Sequence, residues 1–211
     1  MPVAGPSLQD KLQYSVVSIA EGRAVLRLVS ADGANKLGRS VIQELLGCMI
    51  LLRAAADAGE IQRLIITGND KFFSFGADLN EIARLSGPEA FEFSKLGQKL
   101  TQSVDDFPVP VIAAIRGYCM GGGMDLALAC DYRIASPDAV FGHRGTTLGL
   151  MTGWGGTQRL PRLIGKARAM QMFLLAEMVK AEEAKRIGLV DEISEEPIAA
   201  ANRFRSGSAR G

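Results

Sequence analysis

The chain has 211 residues, of which 47% are hydrophobic and 22% are charged. This length and balance are typical of one globular domain with a full apolar core. The 24 basic and 23 acidic residues leave a net charge of +1, so no overall field favours nucleic acid or an anionic membrane as the main partner. We therefore expect no nucleic acid and no membrane partner.

The cysteines and the N-terminal segment bear on the cellular compartment. Cys48, Cys119 and Cys130 form no C-x-x-C pair and are too few for a disulfide framework, which favours a reducing compartment. The opening segment MPVAGPSLQDK lacks a basic stretch followed by an apolar one. No later stretch has the ~18 uninterrupted apolar residues that a spanning helix needs. These observations predict a soluble cytoplasmic protein.

The chain opens with predicted strands and then a helix. Residues 13–19 and 23–29 are short runs rich in Val, Leu and Ile, which predict a β-hairpin. From Ser40 onward apolar residues repeat at helical spacing, and Ser40 with Gln43 predicts a capping box. We expect this helix to end near Gly59.

Two apolar strands follow, with a helix between them. Residues 61–67 predict a strand, and the continuous apolar run over 109–115 is typical of a strand buried in a parallel sheet. The intervening helix is predicted to start at Ser86, because a hydroxyl precedes a Pro in the first turn and Glu89 stands three residues on.

The second half of the chain continues the alternation of strands and helices. It contains a predicted short helix at 122–129, strands in YRIAS and AVFGH, helices at 154–163 and 166–177, and a helix-to-strand unit in AEEAKRIGLVDEI. This succession predicts an α/β fold with mostly parallel pairing.

Two glycine-rich turns are candidate binding elements. The first, FSFGADL over 73–79, follows a strand, and the second, GYCMGGGMDL over 117–126, leads from a buried strand into a helix. A helix N-terminus presents free N–H groups, and Gly permits close approach. With the amide of Ala77, the second turn would form an oxyanion hole for a thioester enolate.

Other interpretations of the two turns remain open. Each glycine cluster is also compatible with a simple turn or a close helix–sheet contact. Phosphate binding is another alternative, although G-x-x-x-x-G-K-[ST] is absent and no supported G-x-G-x-x-G precedes a helix.

Four blocks, in order and spacing, resemble the crotonase or enoyl-CoA hydratase/isomerase family. They are FSFGADLNEI, PVIAAIRGYCMGGGMDLALACDYRIAS, FGHRGTTLGLMTGWGGTQRLPRLIGKARAM and AEEAKRIGLVDEI, and the match covers residues 13 to about 195. The resemblance implies a crotonase-like spiral of β-β-α repeats with a shortened C-terminal helical region. We expect a crotonase-like domain over 1–195 and a disordered tail over 196–211.

The resemblance also implies a ligand and an assembly. It implies a coenzyme A thioester as substrate, no tightly bound cofactor, no metal, a role in fatty acid metabolism, and a homo-oligomer, either a trimer or a hexamer. Since relatives continue with several helices that complete the trimer, the short C-terminus leaves the oligomer open.

By similarity, the thioester oxygen would lie between the amides of Ala77 and Gly122. Coenzyme A would follow the backbone of the first turn, at Phe75, Gly76, Ala77, Asp78 and Leu79. Asp32 stands where relatives often have a basic residue, so no phosphate partner is assigned. Glu81 is interpreted as a solvated acid that complements a helix dipole.

Two glutamates flank the substrate double bond in the hydratases of this family, and here their positions hold Asp125 and Gly145. Hydration needs one group that activates water and one that delivers a proton, so the loss at Gly145 puts efficient hydration in question. His143 is a candidate acid or base, the alternative being a structural or surface histidine. A small anion held by Arg144 or His143 is another possible replacement for the carboxylate.

Trp154 belongs to a block that lines the acyl pocket in relatives, so it is a candidate pocket residue together with Gly145. Core packing is the alternative role for this tryptophan. The predicted function is that of an enoyl-CoA hydratase/isomerase-like enzyme. The alternatives are an acyl-CoA decarboxylase or thioester hydrolase of the same fold, and a non-catalytic acyl-CoA-binding protein.

Overall fold

A computed structural model of the chain describes residues 12–204. The strands are β1 (Ser15–Ala20), β2 (Arg23–Leu28), β3 (Lys36–Leu37), β4 (Arg63–Thr67), β5 (Phe72–Ser74), β6 (Gly76–Ala77), β7 (Val111–Ile115), β8 (Tyr118–Met120), β9 (Tyr132–Ala135), β10 (Val140–Gly142), β11 (Met178–Lys180) and β12 (Glu192–Ile193). The helices are α1 (Arg39–Asp57), α2 (Leu79–Ile82), α3 (Gly87–Asp105), α4 (Gly122–Ala129), α5 (Gly156–Ile164), α6 (Lys166–Leu174), α7 (Ala181–Arg186) and α8 (Pro197–Arg203).

The largest sheet has the strand order β1-β2-β4-β7-β9-β12. Strands β1 and β2 pair antiparallel, as the predicted hairpin requires, and the remaining neighbours pair parallel. Every residue of β7 is buried, because helices or other strands cover both faces of a parallel sheet. The predicted α/β fold with mostly parallel pairing is confirmed.

Two smaller sheets bring the glycine-rich turns together. One has the order β11-β10-β8-β5, and the other pairs β3 with β6 in parallel. Strand β8 leads directly into α4, and β6 leads into the short helix α2. The first turn therefore lies beside the N-terminus of α4.

Helix α1 begins differently from the sequence prediction. Its N-cap is Gly38, and the amide of Arg39 donates to the carboxylate of Glu81 over 2.9 Å. The predicted capping box of Ser40 and Gln43 is wrong, because a carboxylate from a distant segment caps this end. Glu81 is accordingly a capping and ion-pairing group at α1, with Arg39 Nε 3.6 Å away.

Helix α3 begins as predicted. The Glu89 carboxylate accepts hydrogen bonds from the Ser86 amide at 2.8 Å and from the Ser86 hydroxyl at 2.6 Å. These two bonds lower the pKa of Glu89, because they favour its charged form.

The C-terminal part of the described chain corrects the predicted tail. Residues 197–203, expected to be disordered, form helix α8, in which Pro197, Ala200 and Ala201 are buried. The two alanines pack in a small core with Ile65 and Ile112 of the large sheet, so the helix gains stability from tertiary burial rather than from its own sequence. The rest of the predicted tail, 205–211, and residues 1–11 lie outside the described residues.

The three cysteines are free and buried. Burial raises the pKa of the Cys130 thiol to about 12 and raises that of Cys119 well above its ordinary value. None of the helices within residues 12–204 combines the length and apolar character that crossing a membrane requires.

Candidate active site

A cavity of about 720 Å³ lies between the two glycine-rich turns and the segment that follows β10. All predicted site residues except one line it: Phe75, Ala77, Asp78, Leu79, Gly122, Asp125, His143, Gly145 and Trp154. The structure therefore brings together residues that are far apart in the sequence. The exception is Gly76.

Gly76 lies where the first turn meets the second. Its φ is +89°, and a Cβ atom there would lie 2.6 Å from the carbonyl oxygen of Met120 and 2.8 Å from the amide nitrogen of Gly122. Such distances exclude any side chain, so Gly allows the close approach of β6 to the start of α4. Gly76 does not line the cavity, and a direct role in coenzyme A binding remains a prediction.

The two predicted oxyanion-hole residues, Ala77 and Gly122, line the cavity from two different elements, β6 and α4. The amide of Gly122 is in the first turn of α4, where N–H groups have no intrahelical acceptor. The amide of Asp78 donates to Leu37 in β3 over 3.4 Å. Ala77, the residue before it, lines the cavity, and the use of its amide as an oxyanion donor stays a prediction.

Buried polar residues hold the first turn in place. The Ser74 hydroxyl donates to the Asn35 carbonyl over 2.7 Å and accepts from the Gly76 amide over 3.1 Å. The Asn35 side-chain amide donates to the carbonyl oxygens of Phe72 and Phe73 at 3.0 and 3.2 Å. This network fixes the backbone that presents Ala77.

Asp125 is 1% exposed, and its side chain lies in the first turn of α4. One carboxylate oxygen accepts a short hydrogen bond from the Thr152 hydroxyl. The other, Oδ1, lies 3.2 Å from Nε2 of His143. Both atoms are buried, and neither has a hydrogen-bond partner among the described residues, because the geometry between them is not that of a hydrogen bond. Buried polar atoms of this kind are rare in folded proteins and need a reason.

His143 is 4% exposed, and its ring packs against Phe173 with ring centroids 5.1 Å apart. It is therefore not a surface histidine. Its side chain enters the cavity beside Asp125, as a candidate acid or base requires. His143 is two positions from Gly145 in the sequence, which does not determine the direction of the histidine side chain. In the structure this side chain points towards the cavity.

Gly145 starts a short 3-10 turn, Gly145–Leu148, at the cavity wall. Within the described part of the chain, Asp78 and Asp125 are the only carboxylates that line this cavity. No three His, Cys, Asp or Glu side chains among residues 12–204 are arranged to hold a metal ion. Gly145, the position predicted to lack the second catalytic carboxylate, therefore supplies no acidic group to the cavity.

Trp154 combines the two roles that the sequence left open. Its side chain is buried in the main core and also lines the cavity. The ring lies directly over Gly122, where a Cβ atom would overlap the indole. Its ring meets that of Phe93 edge to face at 5.6 Å between centroids.

Three side chains of the site were missed in the sequence. Lys36 lines the cavity and forms an ion pair with Asp32 at 2.7 Å; the Lys36 ammonium is the main cause that lowers the pKa of Asp32 to about 2. Thr152 and Phe93 also line the cavity. The four-residue spacing of Asp32 and Lys36 is a sequence signal for an ion pair. Nothing in the sequence indicates that Thr152 and Phe93 line the cavity.

Comparison with known proteins places the chain in a family. The family model described as enoyl-CoA hydratase/isomerase matches residues 19–202. The crotonyl-CoA hydratase of Syntrophomonas wolfei is 42% identical over 174 residues, which are 82% of this chain and 66% of that protein. The short-chain-enoyl-CoA hydratase of Clostridium acetobutylicum is 37% identical over 183 residues, 86% of this chain and 69% of that protein.

Solved structures agree with the sequence comparison. An enoyl-CoA hydratase from Bacillus anthracis superposes with a TM-score of 0.83 at 35% identity, covering 90% of this chain and 73% of that chain. DspI from Pseudomonas aeruginosa gives a TM-score of 0.87 at 35% identity, covering 94% and 75% of the two chains. The predicted crotonase-like fold class is confirmed.

The chain belongs to the enoyl-CoA hydratase/isomerase family. It spans about two thirds of the length of the curated relatives it matches, 66% and 69% for the two hydratases above.

Proposed function

We propose that the protein acts on acyl-CoA thioesters as an enoyl-CoA hydratase or isomerase. The observation that carries the proposal is the placement of Asp125 and His143, with Oδ1 and Nε2 3.2 Å apart. Both residues line the same cavity as Ala77 and Gly122. The relatives from Syntrophomonas and Clostridium are named as hydratases of crotonyl-CoA and of short-chain enoyl-CoA, and this supports the same class of substrate here.

The amides of Ala77 and Gly122 would hold the thioester oxygen. Charge develops on that oxygen when the substrate becomes an enolate, and fixed N–H donors in a dry site stabilise it without reorganisation. Loss of one such donor typically costs ~3 kcal/mol of transition-state stabilisation. Both donors belong to the main chain. Their positions therefore depend on the glycines that shape the two turns more than on the side chains of the donor residues.

Asp125 and His143 would carry the protons. In hydration, the oxygen of water bonds to Cβ while a water proton passes to the pair, and the pair returns one proton to Cα of the enolate. The proton count of the pair is then unchanged after each turnover. In isomerisation, the pair removes a proton from one carbon and returns it to another. Each acid or base step contributes ~10²–10⁴ in rate.

Coenzyme A would lie along Phe75, Asp78 and Leu79 at the mouth of the cavity. Phe75 is 47% exposed and Leu79 is 47% exposed, and such apolar surface at a cavity mouth suits a ligand. The ammonium of Lys36 lies near these residues and is a candidate partner for a phosphate.

Decarboxylation of a malonyl-type thioester is the second candidate function. It is favoured by Gly145, which supplies no carboxylate to activate water, and by the exposed Arg144, which lines the cavity and can hold an anionic group. In that reaction the bond between Cα and the carboxylate breaks, carbon dioxide leaves, and the enolate takes one proton at Cα from Asp125 or His143.

Three assays on the purified protein separate these functions. Loss of the enoyl absorbance of crotonyl-CoA supports hydration, release of carbon dioxide from malonyl-CoA supports decarboxylation, and release of free thiol supports thioester hydrolysis. Asp125→Ala should reduce the active assay by ~10² or more, whereas Asp57→Ala, at the end of α1, should not. Tight thioester binding by calorimetry without any turnover would overturn the proposal in favour of a non-catalytic protein.

Assembly as a trimer or hexamer and location in the cytoplasm remain predictions. Helix α6 and the residues after it expose apolar side chains, at 60% for Leu174 and 69% for Leu175, and contiguous apolar surface is typical of an interface. Sedimentation equilibrium would give the subunit number directly.

A further inference from the structure

A second cavity, of about 630 Å³, adjoins the active-site cavity at Trp154. Polar side chains from α3 and α5 form part of its wall, among them Gln98, Gln102 and Arg159. Trp154 is the only described residue that lines both cavities. Trp154 is thus the partition between them.

Two glycines make room for this partition. One part of the indole lies over Gly122 of α4, and the other lies over Gly97 of α3, and a Cβ atom on either glycine would overlap the ring. The indole therefore fills the gap between the two helices. The first of these glycines is also the one whose amide is proposed to hold the thioester oxygen.

The backbone of Trp154 is fixed as well. Its carbonyl oxygen accepts a hydrogen bond of 2.8 Å from the Thr101 hydroxyl and one of 3.3 Å from the Arg159 guanidinium. With Phe93 against the ring, the side chain is held on several sides. A partition held in this way does not swing aside for a longer ligand at low cost.

We propose that Trp154 closes the acyl end of the active-site cavity and limits the size of the acyl group, so that short acyl thioesters are preferred. This inference rests on the proposed function, because the acyl group must enter from the thioester site at Gly122. A smaller side chain at this position would free the volume of the indole, between Gly97 and Gly122, for a longer acyl chain. Trp154 is thus a specificity-determining residue.

Fluorescence of the wild-type protein tests the contact without any mutation. Trp154 is the single tryptophan of the chain, so its emission reports on the partition alone. Butyryl-CoA should change the emission of Trp154, whereas coenzyme A without an acyl group should bind and leave the emission nearly unchanged. Calorimetry under the same conditions measures binding separately. Binding of both ligands with no emission difference between them would overturn the inference, and absence of thioester binding would overturn the proposed function and the inference with it.

Substitution tests the size limit. In Trp154→Ala the ratio of kcat/KM for trans-octenoyl-CoA over crotonyl-CoA should rise by ~10-fold or more, since each buried methylene is worth ~0.8 kcal/mol and several can enter. Trp154→Phe should give a smaller rise. It also keeps the test valid if the alanine variant unfolds, because an aromatic ring preserves most of the packing.

Phe107→Ala is the matched control. Phe107 is a buried core aromatic, 9% exposed, and it lines neither cavity. Its truncation should lower stability and leave the chain-length ratio unchanged. An unchanged ratio in both folded Trp154 variants would overturn the inference, and so would an equal rise in Phe107→Ala.

Discussion

Leu150 folds back onto Gly145 at the wall of the active-site cavity. The Leu150 amide donates to the Gly145 carbonyl oxygen over 2.9 Å. The Leu150 carbonyl oxygen lies 2.8 Å from the point that a Cβ atom on Gly145 would occupy. The backbone of Leu150 therefore occupies the space in which a side chain at Gly145 would begin. The path of the backbone thus leaves no room for a carboxylate side chain at Gly145.

Gly145→Glu should therefore fail to create a better hydratase. The new Cβ must push the backbone of the turn away, which should disturb neighbouring His143 as well. We expect kcat/KM with crotonyl-CoA to fall, where simple restoration of a missing carboxylate would raise it. Steady-state kinetics on the variant, with circular dichroism to confirm folding, decides between the two. A gain in activity would show that the turn adapts readily.

Thr152 should orient Asp125. Thr152→Val removes the hydroxyl that donates to the carboxylate and keeps the shape of the side chain. Since a hydrogen bond to a charged group is worth ~1.5–3 kcal/mol, kcat should fall by ~10–100-fold with a smaller change in KM. Thr152→Ser, which keeps the hydroxyl, should retain most of the activity. Equal losses in both variants would indicate that packing, and not the hydrogen bond, is important.

Gly156 should leave room for the same carboxylate. A Cβ atom there would overlap Oδ1 of Asp125 and would lie 3.1 Å from Nε2 of His143. Gly156→Ala should displace the pair and reduce kcat by ~10² or more. Gly47→Ala, in the open middle of α1, is the control: it should leave kcat unchanged and raise the free energy of unfolding by ~0.5–1 kcal/mol. Full activity in Gly156→Ala would contradict the role assigned to the position of Asp125.

Cys130 should make stability fall in alkaline solution. Its pKa is raised from 9.0 to about 12 by burial, so above pH 9 the unfolded chain loses a proton that the folded chain keeps. The stabilisation is fully present below pH 9 and is lost as the pH rises towards 12, at ~1.4 kcal/mol per pH unit. Urea unfolding between pH 8 and 10.5 should show a steeper decline for the wild-type protein than for Cys130→Ala. Parallel declines would contradict this expectation.

Strong local patterns in the sequence predicted elements correctly. The apolar run of β7 and the Ser86 and Glu89 capping signal of α3 depend on neighbouring residues only, and both are confirmed. The predicted start of α1 was wrong because the carboxylate that caps this helix belongs to Glu81, 42 positions away in the sequence. Helix α8 was missed because the burial of Ala200 and Ala201 requires the completed sheet.

The site divides in the same way. The family resemblance indicated Asp125 and Gly122 because they belong to a long local motif. Thr152 is 27 positions from Asp125, and nothing in the sequence indicates the hydrogen bond between them. The sequence likewise does not show that Gly156 lies against the Asp125 carboxylate. Whether His143 faces the cavity also depends on the tertiary structure, since residues two apart can point in different directions where a strand ends.

Exchange of the α-proton of butyryl-CoA in deuterated water tests the central claim most directly. This saturated thioester can form an enolate but cannot be hydrated, so the measurement depends only on the oxyanion hole and on Asp125 with His143. Mass spectrometry should show deuterium at Cα with the wild-type protein and a loss of exchange by ~10² or more with Asp125→Asn. No exchange by the wild-type protein, or undiminished exchange by the variant, would contradict the account.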